Sequence, residues 1–141
     1  MSRYVVDASV AAKWYVPEIY SEGALQFLEG DHELLGPDLL LPELGNVLWK
    51  KVRRLELSRS EARDILHAFL SAPIAIQSAE TLLEPALDLA MGVGRSVYDA
   101  LYLALAVLHR CRMVTADRPL YDAVSQSPFA AHIQWVADTP L

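Results

Sequence analysis

Residues 94–117 carry the sequence GRSVYDALYLALAVLHRCRMVTAD, which decides the fold of this chain. Positions 97–109 are apolar nearly all round, which is typical of a buried helix and not of a surface helix. Positions 113–115 form a short apolar run, which predicts a strand inside a sheet that is covered on both faces. Asp99 lies in the first turn of this predicted helix, and Asp117 follows the predicted strand. Two carboxylates at the edges of the most apolar part of the chain therefore need a reason.

The remainder of the chain alternates short apolar runs with helical patterns. We predict further strands over residues 4–6, 33–35, 74–77 and 133–136. We predict further helices over residues 10–15, 21–29, 38–55, 59–70, 81–91 and 118–124, with Ser9 as the cap of the first of them. Strands that alternate with helices form a parallel sheet with helices on both faces. The chain is therefore predicted to be a single α/β domain over residues 1–141.

Composition limits the possible functions. Of the 141 residues, 53% are hydrophobic and 21% are charged, so we expect a partner to cover apolar surface, with a homodimer as the simplest case. The single cysteine, Cys111, excludes an internal disulfide and fits a reducing compartment. We expect neither a signal peptide nor a membrane span, and hence a cytoplasmic protein. The net charge of −6 argues against a generally basic nucleic-acid-binding protein.

Four acidic residues are placed where a parallel sheet binds ligands, at strand carboxyl ends or in first turns of helices: Asp7, Glu43, Asp99 and Asp117. Each has a structural alternative, such as a capping box of Asp99 with Ser96 or a helix cap at Asp117. Two carboxylates about 4 Å apart repel by ~1 kcal/mol in water and ~4 kcal/mol at an effective dielectric of 20. Four together therefore require bound cations or raised pKa values. Carboxylate oxygens without histidine or cysteine suit Mg²⁺ or Mn²⁺.

Four segments carry a resemblance to a known family: VVDASV, LPELGNVLWK, SVYDALYLALA and VTADRPLY. They resemble, in order and spacing, the acidic motifs of the PIN-domain ribonucleases, and specifically of the VapC-type toxins of toxin–antitoxin pairs. The resemblance implies a PIN-like three-layer α/β/α domain with a central parallel sheet of four to five short strands. It also implies Mg²⁺- or Mn²⁺-dependent cleavage of RNA, a homodimer and inhibition by a cognate antitoxin.

The resemblance also assigns roles to residues. It implies that the metal ligands, and hence the catalytic residues, are Asp7, Glu43, Asp99 and Asp117. It implies that the residues supporting those ligands are Ser9, Asn46 and Thr115. One departure is Arg95, because the family often has an apolar residue before the serine. That arginine leaves the acids in place but affects the substrate preference expected at the rim of the site.

Basic and aromatic residues are less informative. As possible RNA contacts we take Lys13, Lys50, Arg95 and Arg118. Half of the Lys and Arg residues lie within residues 50–63, where they either contact RNA or complement a helix dipole. The four histidines, His32, His67, His109 and His132, match no ligand or triad spacing. Tyr98 and Tyr102 are expected in the core.

Several other functions are compatible with strand-end acids. A haloacid-dehalogenase-type phosphatase needs a second acid where Ser9 lies, and a receiver domain needs a late lysine, whereas no lysine follows Lys51. A dinucleotide-binding domain needs a G-x-G-x-x-G after a strand, which is missing. The remaining alternatives are a PIN-domain nuclease in RNA maturation or on single-stranded DNA, and a non-catalytic binding module of the same fold.

Overall fold

The structure, a computed structural model, describes residues 2–140. Within this range five strands form one sheet: β1 (Ser2–Val6), β2 (His32–Pro37), β3 (Ile74–Gln77), β4 (Arg112–Thr115) and β5 (Ile133–Trp135). Their order in the sheet is β3-β2-β1-β4-β5, and every neighbouring pair is parallel. The predicted α/β class and the predicted parallel sheet of four to five strands are confirmed. Strands β1 and β4 are neighbours, so their carboxyl ends lie together.

Seven α-helices connect these strands in the described part of the chain: α1 (Ala8–Lys13), α2 (Ser21–Glu29), α3 (Leu40–Arg53), α4 (Arg59–Leu70), α5 (Ala79–Val93), α6 (Val97–Leu108) and α7 (Arg118–Ser125). A short 3₁₀ turn, Ala130–His132, precedes β5. The helix predicted from the opening stretch is α6, and its residues 100–106 are all buried. It packs against α5 and against strands β1, β2 and β4. Every predicted helix is found; the boundaries of α2 and α4 are those predicted, and those of the others are shifted.

The first helix begins earlier than predicted because its cap is different. We predicted Ser9 as the cap, but the cap of α1 is Asp7, whose Oδ1 accepts a hydrogen bond from the Val10 amide at 3.1 Å. Ser9 lies inside the helix and its hydroxyl donates to the same carboxylate. Similarly, α5 begins at Ala79 and not at residue 81, since Ser78 caps it by accepting from the Glu80 amide.

Two buried lysines, one on α1 and one on the neighbouring α3, share the partly exposed carboxylate of Glu18. The ammonium groups of Lys13 and Lys51 each contact a different carboxylate oxygen of Glu18, both at 3.0 Å. Burial acts to raise the pKa of Glu18, but hydrogen bonds from the two lysines hold it below its ordinary value. Lys13, which we took as a possible RNA contact, is therefore buried and paired with Glu18.

Within residues 2–140, no single helix is long and apolar enough to cross a membrane. Helices α5 and α6 together reach the required length and composition, but the chain bends by 111° between them.

Candidate active site

The four predicted acids lie at the carboxyl edge of the sheet. Asp7 directly follows β1, and Asp117 lies two residues after the end of β4. Glu43 and Asp99 lie in the first turns of α3 and α6, respectively. In a parallel sheet this edge also receives the amino ends of helices, whose partial positive charge favours anionic side chains.

Asp7 is held by two hydroxyl groups that also bind the backbone after β4, an arrangement called the hydroxyl bridges below. Ser9 Oγ donates to Asp7 Oδ1 at 2.6 Å and accepts from the Ala116 amide at 3.0 Å. Thr115 Oγ1 donates to Asp7 Oδ2 at 2.5 Å and accepts from the Asp117 amide at 3.1 Å. Each hydroxyl has one proton, and the accepted amide bond leaves that proton for the carboxylate. The expectation that Ser9 and Thr115 support the acids agrees with this geometry.

Glu43 has a partner that the sequence interpretation missed. The hydroxyl of Tyr102 donates to Glu43 Oε1 at 2.7 Å, and Tyr102 is buried. We had expected Tyr98 and Tyr102 in the core, which is correct for the ring of Tyr102 but omits its hydroxyl, and which is wrong for Tyr98, whose side chain on α6 is exposed. The available signal was spacing, because Tyr102 lies three residues after Asp99 and so shares its helix face. Asn46 lies one turn after Glu43 and is exposed.

Asp99 and Asp117 share a cation from their own chain. Arg95 NH2 lies 3.1 Å from Asp99 Oδ2 and 3.9 Å from Asp117 Oδ2, and its Nε also donates to Asp99. The amide of Asp99 donates to the hydroxyl of Ser96 at 3.1 Å, which caps α6. Asp117 does cap α7, by accepting from the Leu120 amide at 3.2 Å. The capping alternative is thus correct for Asp117, whose second oxygen faces Arg95.

The acids raise the pKa values of one another in sequence around the site. Burial raises the pKa of Asp7 from its ordinary 3.8 to about 6, against hydrogen bonds that lower it, and the charge of Glu43 adds to the rise. Burial raises the pKa of Glu43, and the charge of Asp99 adds to it. Burial likewise raises the pKa of Asp99, with Arg95 opposing and Asp117 reinforcing the rise. The carboxylates therefore interact electrostatically as one group, whose negative charge exceeds the positive charge that Arg95 supplies.

Comparison with known proteins identifies the family of this chain. Residues 4–124 match the family described as the PIN domain. The chain belongs to the PIN domain family. The predicted resemblance, which was based on four acidic motifs, is thereby confirmed.

Similar proteins include both a curated sequence and solved structures. The chain is 40% identical over 121 residues to ribonuclease VapC3 of Pyrobaculum aerophilum, covering 84% of this chain and 92% of the relative. The crystal structure of PAE2754 from the same organism has a TM-score of 0.70 at 26% identity, over 96% of this chain and 84% of that one. VapBC2 of Rickettsia felis, bound to a DNA fragment from its promoter, has a TM-score of 0.64 at 14% identity. That match covers 94% of this PIN domain and 98% of the other chain.

The donor set fits a hard divalent cation, although the present side-chain positions do not enclose one. Carboxylates are the donors that Mg²⁺ and Mn²⁺ prefer, and burial raises the pKa of three of the four, those of Asp7, Glu43 and Asp99. Yet within residues 2–140 no three His, Cys, Asp or Glu side chains lie close enough together to hold a metal ion. Arg95 accounts for part of this difference, because its guanidinium contacts two of the acids.

The opposite edge of the sheet is separate from this site. A surface depression of about 560 Å³ lies at the opposite edge of the sheet, beside Ser2, Arg3 and Arg112. Parallel sheets bind ligands at the carboxyl edge, so we assign this depression no role in catalysis.

Arg118, a predicted RNA contact, stacks on Trp135 with its guanidinium carbon 4.3 Å from the ring centre. His109 contacts Gln77 at 3.1 Å, away from the acids.

Asp7→Asn is expected to stabilise the metal-free protein increasingly as the pH rises from about 4 to 6. The folded chain keeps the Asp7 proton up to a pKa of about 6, whereas the unfolded chain releases it near 3.8. The folded parent therefore binds more protons in this window, and its stability falls as the pH rises through it. The difference should approach about 3 kcal/mol above pH 6. Urea unfolding in EDTA at several pH values measures it.

The matched control is Glu84→Gln, which neutralises an exposed carboxylate on α5. Its effect on the free energy of unfolding should stay nearly constant over the same pH range. An Asp7→Asn effect equally independent of pH would contradict the desolvation of this carboxylate.

Proposed function

We propose that this chain is a single-domain (residues 1–141), divalent-metal-dependent endoribonuclease and the toxin of a VapBC-type toxin–antitoxin pair. The observation that carries the proposal is the coupled group of four carboxylates at the carboxyl edge of the sheet. The 40% identity to ribonuclease VapC3 supports RNA as the substrate. The name of that relative and the likeness to VapBC2 support the toxin role. RNA and a reducing environment for Cys111 are both found in the cytoplasm, where we place its action.

We propose different roles in hydrolysis for the residues of the site. We assign Asp7, Glu43, Asp99 and Asp117 as ligands of Mg²⁺ or Mn²⁺. A bound divalent ion supplies a Lewis acid for the phosphoryl oxygen and lowers the pKa of a water molecule. The hydroxyl bridges keep both oxygens of Asp7 at fixed positions, and Tyr102 orients Glu43. We expect addition of water across one P–O bond, leaving a 5′-phosphate and a 3′-hydroxyl.

The charge of the protein is compatible with an RNA substrate. Although the net charge is −6, a divalent ion over the acids would offset part of their negative charge and offer a phosphate oxygen a cation to contact. Arg95 and Arg118 lie at the same edge and are proposed to contact RNA phosphates. Asn46, exposed one turn after Glu43, is proposed to support the ligands or the substrate.

Cleavage of RNA should stop in EDTA and return with Mg²⁺ or Mn²⁺. Asp7→Asn and Asp99→Asn should each lower the rate more than about 100-fold, because each removes a ligand. Thr115→Val should lower it about 10- to 100-fold, the range for residues that orient ligands. Single-turnover cleavage of a labelled RNA measures these rates. His109→Gln, outside the site, should leave them unchanged, and full activity in EDTA would refute the metal mechanism.

Arg95→Leu should bind Mn²⁺ more tightly than the parent chain in the absence of RNA. The guanidinium competes with the ion for Asp99 and Asp117, and its charge repels the ion. Because a partly exposed pair contributes only about 0.5–1 kcal/mol, the gain should be roughly two- to fivefold by calorimetric titration. Arg3→Leu, which removes an arginine paired with Glu33 at the far edge, is the control. Equal affinity of both variants would show that Arg95 does not compete.

We also propose that the protein forms a homodimer and binds a cognate antitoxin. Helix α5 exposes an apolar stripe with the spacing of one helix face, formed by Leu83, Leu87 and Met91. Apolar stripes of this kind are typically covered by a partner. A basic side chain from an antitoxin could contact the acids in the way that Arg95 now does.

Leu87→Glu is expected to convert the dimer to a monomer. Leu87 is 49% exposed in the single chain, and a charge there would be buried if the α5 stripe forms the interface. Sedimentation velocity at micromolar concentration should give twice the 15.7-kDa chain mass for the parent and the chain mass for the variant. Leu55→Glu, at a 92% exposed leucine outside the stripe, should remain a dimer. A monomeric parent would contradict the proposal.

A further inference from the structure

The carboxyl-terminal end of α3 has an exposed aromatic ring surrounded by basic residues. Trp49, Lys50, Arg53 and Arg54, here called the α3 basic face, line a surface depression of about 330 Å³. Trp49 is 52% exposed, and the guanidinium carbon of Arg53 lies 4.9 Å from its ring centre. An exposed indole beside guanidinium groups is the combination that binds single-stranded nucleic acid, by stacking a base and neutralising phosphates.

Two residues of the α3 basic face, Lys50 and Arg54, lie on the same side of the helix as the acid Glu43. Successive residues turn by about 100° and rise by about 1.5 Å, so Lys50 and Arg54 lie within about 20° of Glu43 around the helix. They lie about 10 Å and about 16 Å farther along its axis. Glu43 at the first turn therefore shares one side of α3 with Lys50 and Arg54, whereas Arg53 and Trp49 lie about 80° and about 120° around the helix from it. A strand of RNA that follows this side leads directly to the carboxylates.

Lys51 shows that the basic residues of this segment have different roles. It lies on the buried side of α3 and pairs with Glu18, whereas Lys50, Arg53 and Arg54 are exposed. Complementing the helix dipole would explain the basic residues but not an exposed tryptophan. On a protein of net charge −6, a compact basic face beside an acidic site is where a polyanion can bind.

We infer that single-stranded RNA binds along α3, with its phosphates on Lys50 and Arg54 and one base stacked on the exposed ring of Trp49. This inference rests on the proposed nuclease function and names the surface that delivers the strand to its site. The face is distinct from Arg95 and Arg118, which lie at the acids themselves. It binds the part of the strand that is not being cleaved.

The charged part of this surface is tested by binding without cleavage. A fluorescein-labelled oligouridylate is titrated in EDTA by anisotropy, with the parent, Lys50→Gln/Arg54→Gln and the matched control Arg59→Gln/Arg63→Gln. Arg59 and Arg63 are exposed on α4, so both double variants lose the same charge. Loss of two phosphate contacts should reduce the slope of log affinity against log salt by about 1.4 for the first variant. The control should keep the slope of the parent.

The stacking part is tested at the aromatic ring. Trp49→Leu should weaken binding roughly 5- to 100-fold, while Trp49→Phe, which keeps a ring, should stay within about threefold of the parent. Thermal unfolding of each variant separates this effect from a loss of stability. A lower melting temperature with unchanged RNA affinity would assign the basic residues to the helix dipole and overturn the inference.

The remaining outcomes separate this inference from the proposed function. Normal cleavage in Mn²⁺ together with parental RNA affinity of Lys50→Gln/Arg54→Gln overturns the α3 surface and leaves the nuclease intact. Binding that depends on Lys50, Arg54 and Trp49 without cleavage in Mn²⁺ supports the surface and refutes the nuclease. Variants that bind RNA normally but no longer bind an acidic protein partner would assign the face to that partner and overturn the inference.

Discussion

The hydroxyl bridges to Asp7 are the interaction on which the rest of the site depends. Asp7 is only 7% exposed, and burial of a carboxylate is unfavourable unless hydrogen bonds replace the lost water. Ser9, Thr115 and the amide of Val10 supply those bonds, and the two hydroxyls are in turn bound by the backbone after β4. The carboxyl ends of two neighbouring strands are thereby held together, with the carboxylate between them. The pKa nevertheless stays raised, at about 6, because these bonds offset only part of the desolvation.

The same constraint explains how an acidic protein can act on a polyanion. The negative charge of carboxylates that raise the pKa of a neighbour is not fully compensated. Arg95 supplies positive charge beside two of them, Asp99 and Asp117. The guanidinium belongs to the chain and contacts both carboxylates from one side chain. The site thus combines one carboxylate held by hydroxyl groups, that of Asp7, with two that share an arginine.

Basic residues illustrate why sequence position alone does not assign a role. Lys13 and Lys50 were equal candidates for RNA contact, yet Lys13 is buried against Glu18 and Lys50 is exposed on the same side of α3 as Glu43. Lys51, the next residue, again faces inward to Glu18. An ammonium on a long stem can be directed either way, and the choice depends on whether a distant carboxylate lies within reach.

The sequence by itself determined the order of elements, the parallel sheet and the identity of the four acids. These follow from local signals: apolar periodicity, and acids placed directly after strands or in first turns of helices. Only the tertiary structure decided that Asp7 caps α1 in place of Ser9, that Tyr102 binds Glu43, and that Arg95 bridges two acids. The Tyr102–Glu43 contact joins residues 59 positions apart, and the Thr115–Asp7 contact joins residues 108 apart. Periodicity carries no information about such pairs, because their geometry exists only after the strands have aligned and the helices have packed.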